Sequence, residues 1–298
     1  MSNRGPVEIK RSGEGLPEAR RGSGSVVTAF STLTQTFDFT WVSSAMGEGD
    51  RIVSDNGRNP HLKSPLPGHH INLRYVVTPR RVYHKYYNVL CNPLLWFLQH
   101  YMWNPPYNPN VDAAVHDAWE GGYIPVNQAF ANAVDEEAKV LKQAPIVIGH
   151  DYHLYLMPEF VRRRIPDAII QHYIHIPWPT PQYWRMIPDY ITLRICRSLC
   201  NTDLLGFQTI NDVRCFLDTV EDFMPDADVD RVNHTVLHNG QRTSVKVYPI
   251  SINVEEVRRT ATSSRALDYE ARLSRETAEV INVCIGRLTH HNNVIRGI

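Results

Sequence analysis

Between residues 145 and 250, short apolar runs alternate with longer segments whose apolar residues recur every three or four positions. The runs are PIVIGH, AIIQHYIHI, DLLGF, TVLHN and TSVKVYPI; the intervening segments are HDYHLYLMPEFVRRRIPD, residues 183–200 and NDVRCFLDTVEDFM. Short runs rich in Ile, Val and Leu suit strands inside a sheet, and the three-to-four spacing suits helices with one buried face. A chain that repeats strand, helix, strand has few ways to fold. The expected class is α/β, a parallel sheet covered by helices on both faces.

Upstream, INLRYVVTP reads as a strand from its β-branched and aromatic content, and residues 80–103 read as a helix bent near Pro93. IPVNQAFANAVDEEAKVLKQ reads as a further helix, and residues 56–72, rich in Pro, Gly and His, as an exposed excursion. In the Gly-, Ser- and Arg-rich opening, SVVTAF starts a helix after RRGSGS. A glycine loop entering a helix offers unpaired amides to an anion, but on this motif alone an ordinary surface loop is the favoured reading. Ligands of open parallel sheets collect beyond the carboxyl ends of the strands. Asp151, His175 and the stretch from Gly206 to Thr209 fall there.

With 298 residues and 43% hydrophobic content the chain can bury a large core. Its 31 basic and 31 acidic residues cancel, so neither a nucleic acid nor a membrane surface is an expected partner, and any anion needs a local site. No run approaches the length of a membrane span, and MSNRGPVEIK lacks the apolar segment of a signal peptide, so a cytoplasmic location is expected. Cysteines at 91, 196, 200, 215 and 284 form no CxxC pair and are expected as buried free thiols. Cys196 and Cys200 lack His partners at ligand spacing, so no metal site is expected.

The segments KYYNVLCNPLLWFLQHY, HDYHLYLMP, HYIHIPWPTPQYWRMIP, DLLGFQT and VYPISIN, in this order and spacing, resemble the trehalose-6-phosphate synthases. The resemblance implies a GT-B fold, two Rossmann-like domains facing across a cleft, the first binding glucose 6-phosphate and the second UDP-glucose. Residues 1–250 would form the acceptor-binding Rossmann-like domain, and 251–298 a linker and the first strand of the nucleotide-sugar-binding domain. The implied partners are a nucleotide sugar and a sugar phosphate, with no cofactor; a homo-oligomer is left open.

Carried over by the resemblance, Arg4 of SNRGP meets the acceptor phosphate, a role that suits a guanidinium fork. Tyr87 and Trp96 contact the acceptor, although nine residues apart on an α-helix they lie on opposite faces and read otherwise as core. Asp151 grips acceptor hydroxyls, and on its residue type it also suits a helix N-cap. His175 stands against the donor sugar near the transferred carbon. Gly24 and Ser25 take the place of two adjacent glycines near the diphosphate, and Arg287 that of an arginine facing it, while Asn292 stands where the family has a lysine. WVSSAMGEGD lacks the second tryptophan of the common pattern. That leans toward divergent relatives such as glucosylglycerol-phosphate synthase or the pseudo-glycosyltransferases that join cyclitols.

The implied activity is retaining transfer of glucose from UDP-glucose to glucose 6-phosphate, giving trehalose 6-phosphate, with His175 and Arg287 as the catalytic pair. In front-face transfer the leaving phosphate helps take the proton of the attacking hydroxyl, so positioning and electrostatics carry the rate. The 298-residue chain alone is expected to be inactive, since both halves of the cleft must hold their substrates together. The alternative reading is a non-catalytic sugar-phosphate-binding fragment or pseudoenzyme.

Overall fold

The computed structural model of the chain describes residues 1–11, 17–22, 26–27, 30, 33–55, 61–66, 68, 70–102, 111–141 and 144–276. Contacts divide the chain into two compact units, Met1–Pro249 and Ile250–Ile298.

The first unit opens with a hairpin, β1 (Val7–Arg11) and β2 (Pro17–Arg21), followed by α1 (Leu33–Thr36), β3 (Thr40–Ser44), α2 (Glu48–Val53), β4 (His61–Lys63) and β5 (Asn72–Val76). Helix α3 joins Arg80–His84, a π-helical stretch Lys85–Trp96 and Phe97–Gln99; α4 joins Ala113–Ala118, a π-helical turn Trp119–Tyr123 and Ile124–Leu141. Then come β6 (Ile146–His150), a 3-10 turn Tyr152–Leu154, α5 (Met157–Arg164), β7 (Ile169–Tyr173), α6 (Pro181–Trp184), α7 (Asp189–Leu199), β8 (Leu204–Phe207) and α8 (Ile210–Phe223). Strands β9 (Asp228–Asp230), β10 (Thr235–His238) and β11 (Gln241–Val247) end the unit.

Six strands form one sheet in the order β6-β7-β8-β11-β10-β9. The first four are parallel, as the alternating pattern predicts, and β10 and β9 run antiparallel at the edge. The reversal sits at Asn239 and Gly240, both at positive φ, the signature of a tight hairpin turn. A separate three-stranded sheet pairs β3 and β5 in parallel, with β4 antiparallel on its edge. Part of the expected excursion at 56–72 is therefore an edge strand, because His61 to Lys63 can pair with β5.

The residues before β1 join the two sheets. Ser2 N donates to Val42 O and Ser44 N to Asn3 O, both at 3.2 Å, while the Met1 amino group donates to Ile148 O at 2.6 Å. The hairpin is pinned from α2: the Asp50 carboxylate accepts from Ile9 N at 3.0 Å and Gly47 N at 2.9 Å. A Cβ at Gly49 would stand 2.1 Å from Ile9 O, so the close approach of α2 and β1 requires glycine there.

The main core lies under α3, α4, α5, α7 and α8, with Trp178 near its centre. Its ring is 4.6 Å from Trp184, 5.1 Å from Phe216 and 6.0 Å from Phe207, and its Nε1 donates to Thr219 Oγ1 at 3.0 Å. On the other face of β6 and β7, Ile146, Ile148 and Ile169 are 67%, 41% and 49% exposed. That stretch departs from the expectation of helices on both faces.

Helix α3 also departs from a simple bend at Pro93. It runs through the proline with π-type bonding, which re-registers the backbone where an α-helix would lose a hydrogen bond. Helix α8 starts from a capping box: Thr209 Oγ1 accepts from Asp212 N at 3.2 Å, and the Asp212 carboxylate accepts from Thr209 N at 3.2 Å. Thr209→Ala is expected to cost about 1 kcal/mol. A urea midpoint unchanged from wild type would show that Asp212 alone caps the helix.

The second unit contains α9 (Val254–Ala261) and α10 (Ser264–Glu276), so helices occupy most of the stretch read as a linker. Asn253 caps α9 by accepting from Glu256 N at 3.1 Å. The strand expected at INVCIG lies outside the described residues. Cys91, Cys196, Cys200 and Cys215 are buried free thiols. Among the described residues no cluster suits a metal, and no helix is long and apolar enough to cross a membrane.

Candidate functional site

Asp151 follows β6 directly and its backbone has φ of +70°, where a residue other than glycine is strained. Two hydrogen bonds hold it there: its N–H donates to Tyr173 O at 2.8 Å, and its carbonyl accepts from His172 Nε2 at 3.1 Å. The turn aims the carboxyl group inward. Its Oδ1 is buried with no hydrogen-bond partner. Burial raises its pKa to about 7, against the opposing pull of the Tyr152 and His175 amides.

Around this carboxyl stand several neutral histidines. His175 Nε2 lies 3.1 Å from His150 Nδ1, and His175 Nδ1 is buried without a partner. Burial lowers the pKa of His175 to about 4, of His172 to about 3 and of His150 well below its ordinary value. His153 is lowered to about 3 by burial and by the nearby charge of Arg4, and its Nε2 is also buried and unpartnered. Its ring stacks on Tyr87 at 5.8 Å and 14°, and Tyr87 stacks on Tyr83 at 5.6 Å and 15°.

Arg4 reaches the same stack from the amino-terminal segment, its Nη2 donating to Tyr87 Oη at 3.3 Å. Asn3 bonds Tyr83 Oη at 3.2 Å. The Trp96 ring lies 5.8 Å from that of Tyr152, which is 4.0 Å from His153. Tyr87 and Trp96 thus share a side of α3. The π-helical stretch explains it: at about 4.4 residues per turn, nine residues complete roughly two turns, whereas an α-helix would set them about 180° apart.

A carboxyl with one unpartnered oxygen, a guanidinium and several aromatic faces, gathered at the carboxyl ends of parallel strands, can grip a polyhydroxylated anion. The glycosyltransferase family 20 model matches residues 1–298. The chain belongs to glycosyltransferase family 20. This family 20 chain is 28% identical over 236 residues to a validamine 7-phosphate valienyltransferase of Streptomyces hygroscopicus subsp. jinggangensis, covering 79% of this chain and 47% of the relative. It is 30% identical over 261 residues to the UDP-forming alpha,alpha-trehalose-phosphate synthase of Candida albicans, covering 86% and 50%. Its fold matches the E. coli trehalose-6-phosphate protein solved with UDP-2-fluoro glucose, with a TM-score of 0.66 and 25% identity over 85% of this chain and 52% of that one. The chain spans about half the length of the curated relatives it matches.

Of the site residues expected from the sequence, Arg4, Tyr87, Trp96, Asp151 and His175 are placed around the ends of β6 and β7. Asp151 precedes the 3-10 turn Tyr152–Leu154, but its side chain makes no cap hydrogen bond there. Gly24, Ser25, Arg287 and Asn292 lie outside the described residues. Sequence reasoning passed over His153, Tyr152 and Tyr83. The available signals were a second histidine two residues after Asp151 and a tyrosine one helical turn before Tyr87.

Proposed function

We propose that this chain supplies the acceptor side of a retaining glucosyl transfer from UDP-glucose to glucose 6-phosphate, giving trehalose 6-phosphate. The observation that carries the reading is the buried, unpartnered Oδ1 of Asp151. A buried acceptor without a donor costs free energy, and a sugar hydroxyl removes that cost. Arg4 then faces the phosphate, with its guanidinium held by Tyr87, and Tyr87 and Trp96 give the sugar aromatic walls. His175, kept neutral by burial, serves as a hydrogen-bond partner of the transferred sugar and does not act as an acid. Arg287, on the donor side, stabilises charge on the leaving diphosphate.

The likeness to a validamine 7-phosphate valienyltransferase supports a second acceptor for the same site, a cyclitol phosphate. It would use the same carboxylate and guanidinium, because a carbocycle presents the same hydroxyls. Titrating the chain with each phosphate ranks the two.

The site also predicts a pH dependence. Hydroxyl donors favour the ionised carboxyl, whose pKa in the empty site is about 7, so binding expels a proton below that pH. Glucose 6-phosphate should bind about tenfold more weakly at pH 6 than at pH 8, and Asp151→Asn should remove most of that difference. Calorimetry checks it; a wild-type and Asp151→Asn pair with the same pH profile would sink the assignment of Asp151.

A further inference from the structure

A cavity opens beside Tyr83. It has a volume of about 460 Å³ and is lined by Met46 and Gly47 after β3, Glu48 and Arg51 of α2, and Arg80, Tyr83, His84 and Asn88 of α3. That size suits a small-molecule ligand.

The polar groups in it are arranged for an anion. Arg51 is half-buried, and its Nη2 donates to Thr78 O at 2.8 Å, which fixes the guanidinium plane. Among the described residues no carboxylate pairs with it. Asn88 Nδ2 lies 3.0 Å from His84 Nδ1; with the amide donating, the imidazole proton sits on Nε2 as a further donor. Arg80 is paired with Glu48 across the cavity, a surface contact that a stronger anionic ligand can displace.

We propose that this cavity is a second anion site, separate from the Asp151 site, that takes a phosphate monoester or inorganic phosphate. Arg51 and His84 are its fixed donors, and Arg80 joins them on leaving Glu48. Tyr83, which lines this cavity, stacks at 5.6 Å on Tyr87, which walls the acceptor site, so the two sites meet across one pair of stacked rings. Tyr83 is the shared wall: it lines the cavity and stacks on the tyrosine that holds Arg4. Occupancy here thus bears on the placement of Arg4, and by linkage a ligand at Arg4 bears equally on this site.

The test is calorimetry of the full chain with inorganic phosphate, then with glucose 6-phosphate. Arg51→Gln should weaken phosphate binding about tenfold or more through loss of a charge-assisted hydrogen bond. Glu48→Gln, by releasing Arg80, should tighten it about threefold, a gain that damaged folding cannot imitate. Asp151→Ala should leave it unchanged, whereas the acceptor reading fails separately if that variant leaves glucose 6-phosphate affinity unchanged. Two molar equivalents of glucose 6-phosphate in wild type, falling to one in Arg51→Gln, would identify a sugar phosphate as the occupant; one equivalent in both, with the phosphate effects intact, would identify inorganic phosphate. Phosphate binding indifferent to both Arg51→Gln and Glu48→Gln, or abolished by Arg4→Gln alone, would overturn the second site.

Discussion

Asp151→Gly is expected to make the protein more stable while weakening its grip on a sugar phosphate by about ten- to a hundredfold, the range for a hydrogen bond to a charged group. At φ +70° and ψ 173° the backbone of Asp151 occupies a region that essentially only glycine adopts without strain, at a cost of about 1–3 kcal/mol for other residues. The substitution also removes a carboxyl group whose burial opposes its ionisation. Against these gains stands the greater freedom of glycine in the unfolded chain, worth about 0.5–1 kcal/mol. A net gain of about 1–2 kcal/mol raises the melting temperature by a few degrees in a unit of this size. Asp151→Ala keeps the strained backbone, so it should lose binding equally and gain less stability. Thermal melts and calorimetry on both variants decide the matter; a melting temperature lowered by glycine would show that the turn is not strained.

Acid should unfold the protein at a milder pH than carboxylate protonation explains. His150, His153, His172 and His175 all have folded-state pKa values below the ordinary histidine value, three of them at about 3 to 4. As pH falls below about 6.5 the unfolded chain takes up these protons and the folded protein does not, so stability drops until the folded values are reached. Asp151 acts in the opposite sense: with a folded pKa of about 7 it holds an extra proton in the native state from there down to about 4, and stabilises as pH falls. Four groups outweigh one. The net slope reaches up to about 4 kcal/mol per pH unit, which a stability of about 5–15 kcal/mol does not survive far below pH 5. Urea midpoints between pH 7 and 5 test this, because ordinary carboxylates contribute little in that window. A flat profile there would mean that the four imidazoles are hydrated or protonated in the native protein.

The central strands were legible because each pairs a short branched-aliphatic run with a flanking helical period, as in the Val147 and Ile170 strands. The cap at Thr209 was not read from the sequence, although its partner stands three residues later. Nor was the hairpin β1–β2. Its apolar side chains Val7 and Ile9 alternate with charged residues over too few positions, and its register depends on Asp50, far away in sequence. Edge strand β4 carries His61 and Lys63, and only its neighbour β5 makes it a strand.

At the candidate site, Asp151 and His175 were accessible to reasoning because polar groups after buried strands stand out. The shared face of Tyr87 and Trp96 was not, since helical periodicity assumes one value along a helix and the stretch around Pro93 has another. His153 and Tyr83 were passed over. Their significance lies in a stack spanning two elements, which no local window contains.

The π-helical stretch of α3 also bears on how this sequence can change over evolutionary time. Ordinary drift replaces side chains and leaves their bearings alone. Here, losing one residue between Tyr87 and Trp96 would relax the wide turns toward α geometry and swing one aromatic wall away from the other, with the helix itself intact. Gaining one would do the same in the other sense. Segment length between the two rings is therefore a heritable adjustment of pocket shape, one that acts without altering either ring.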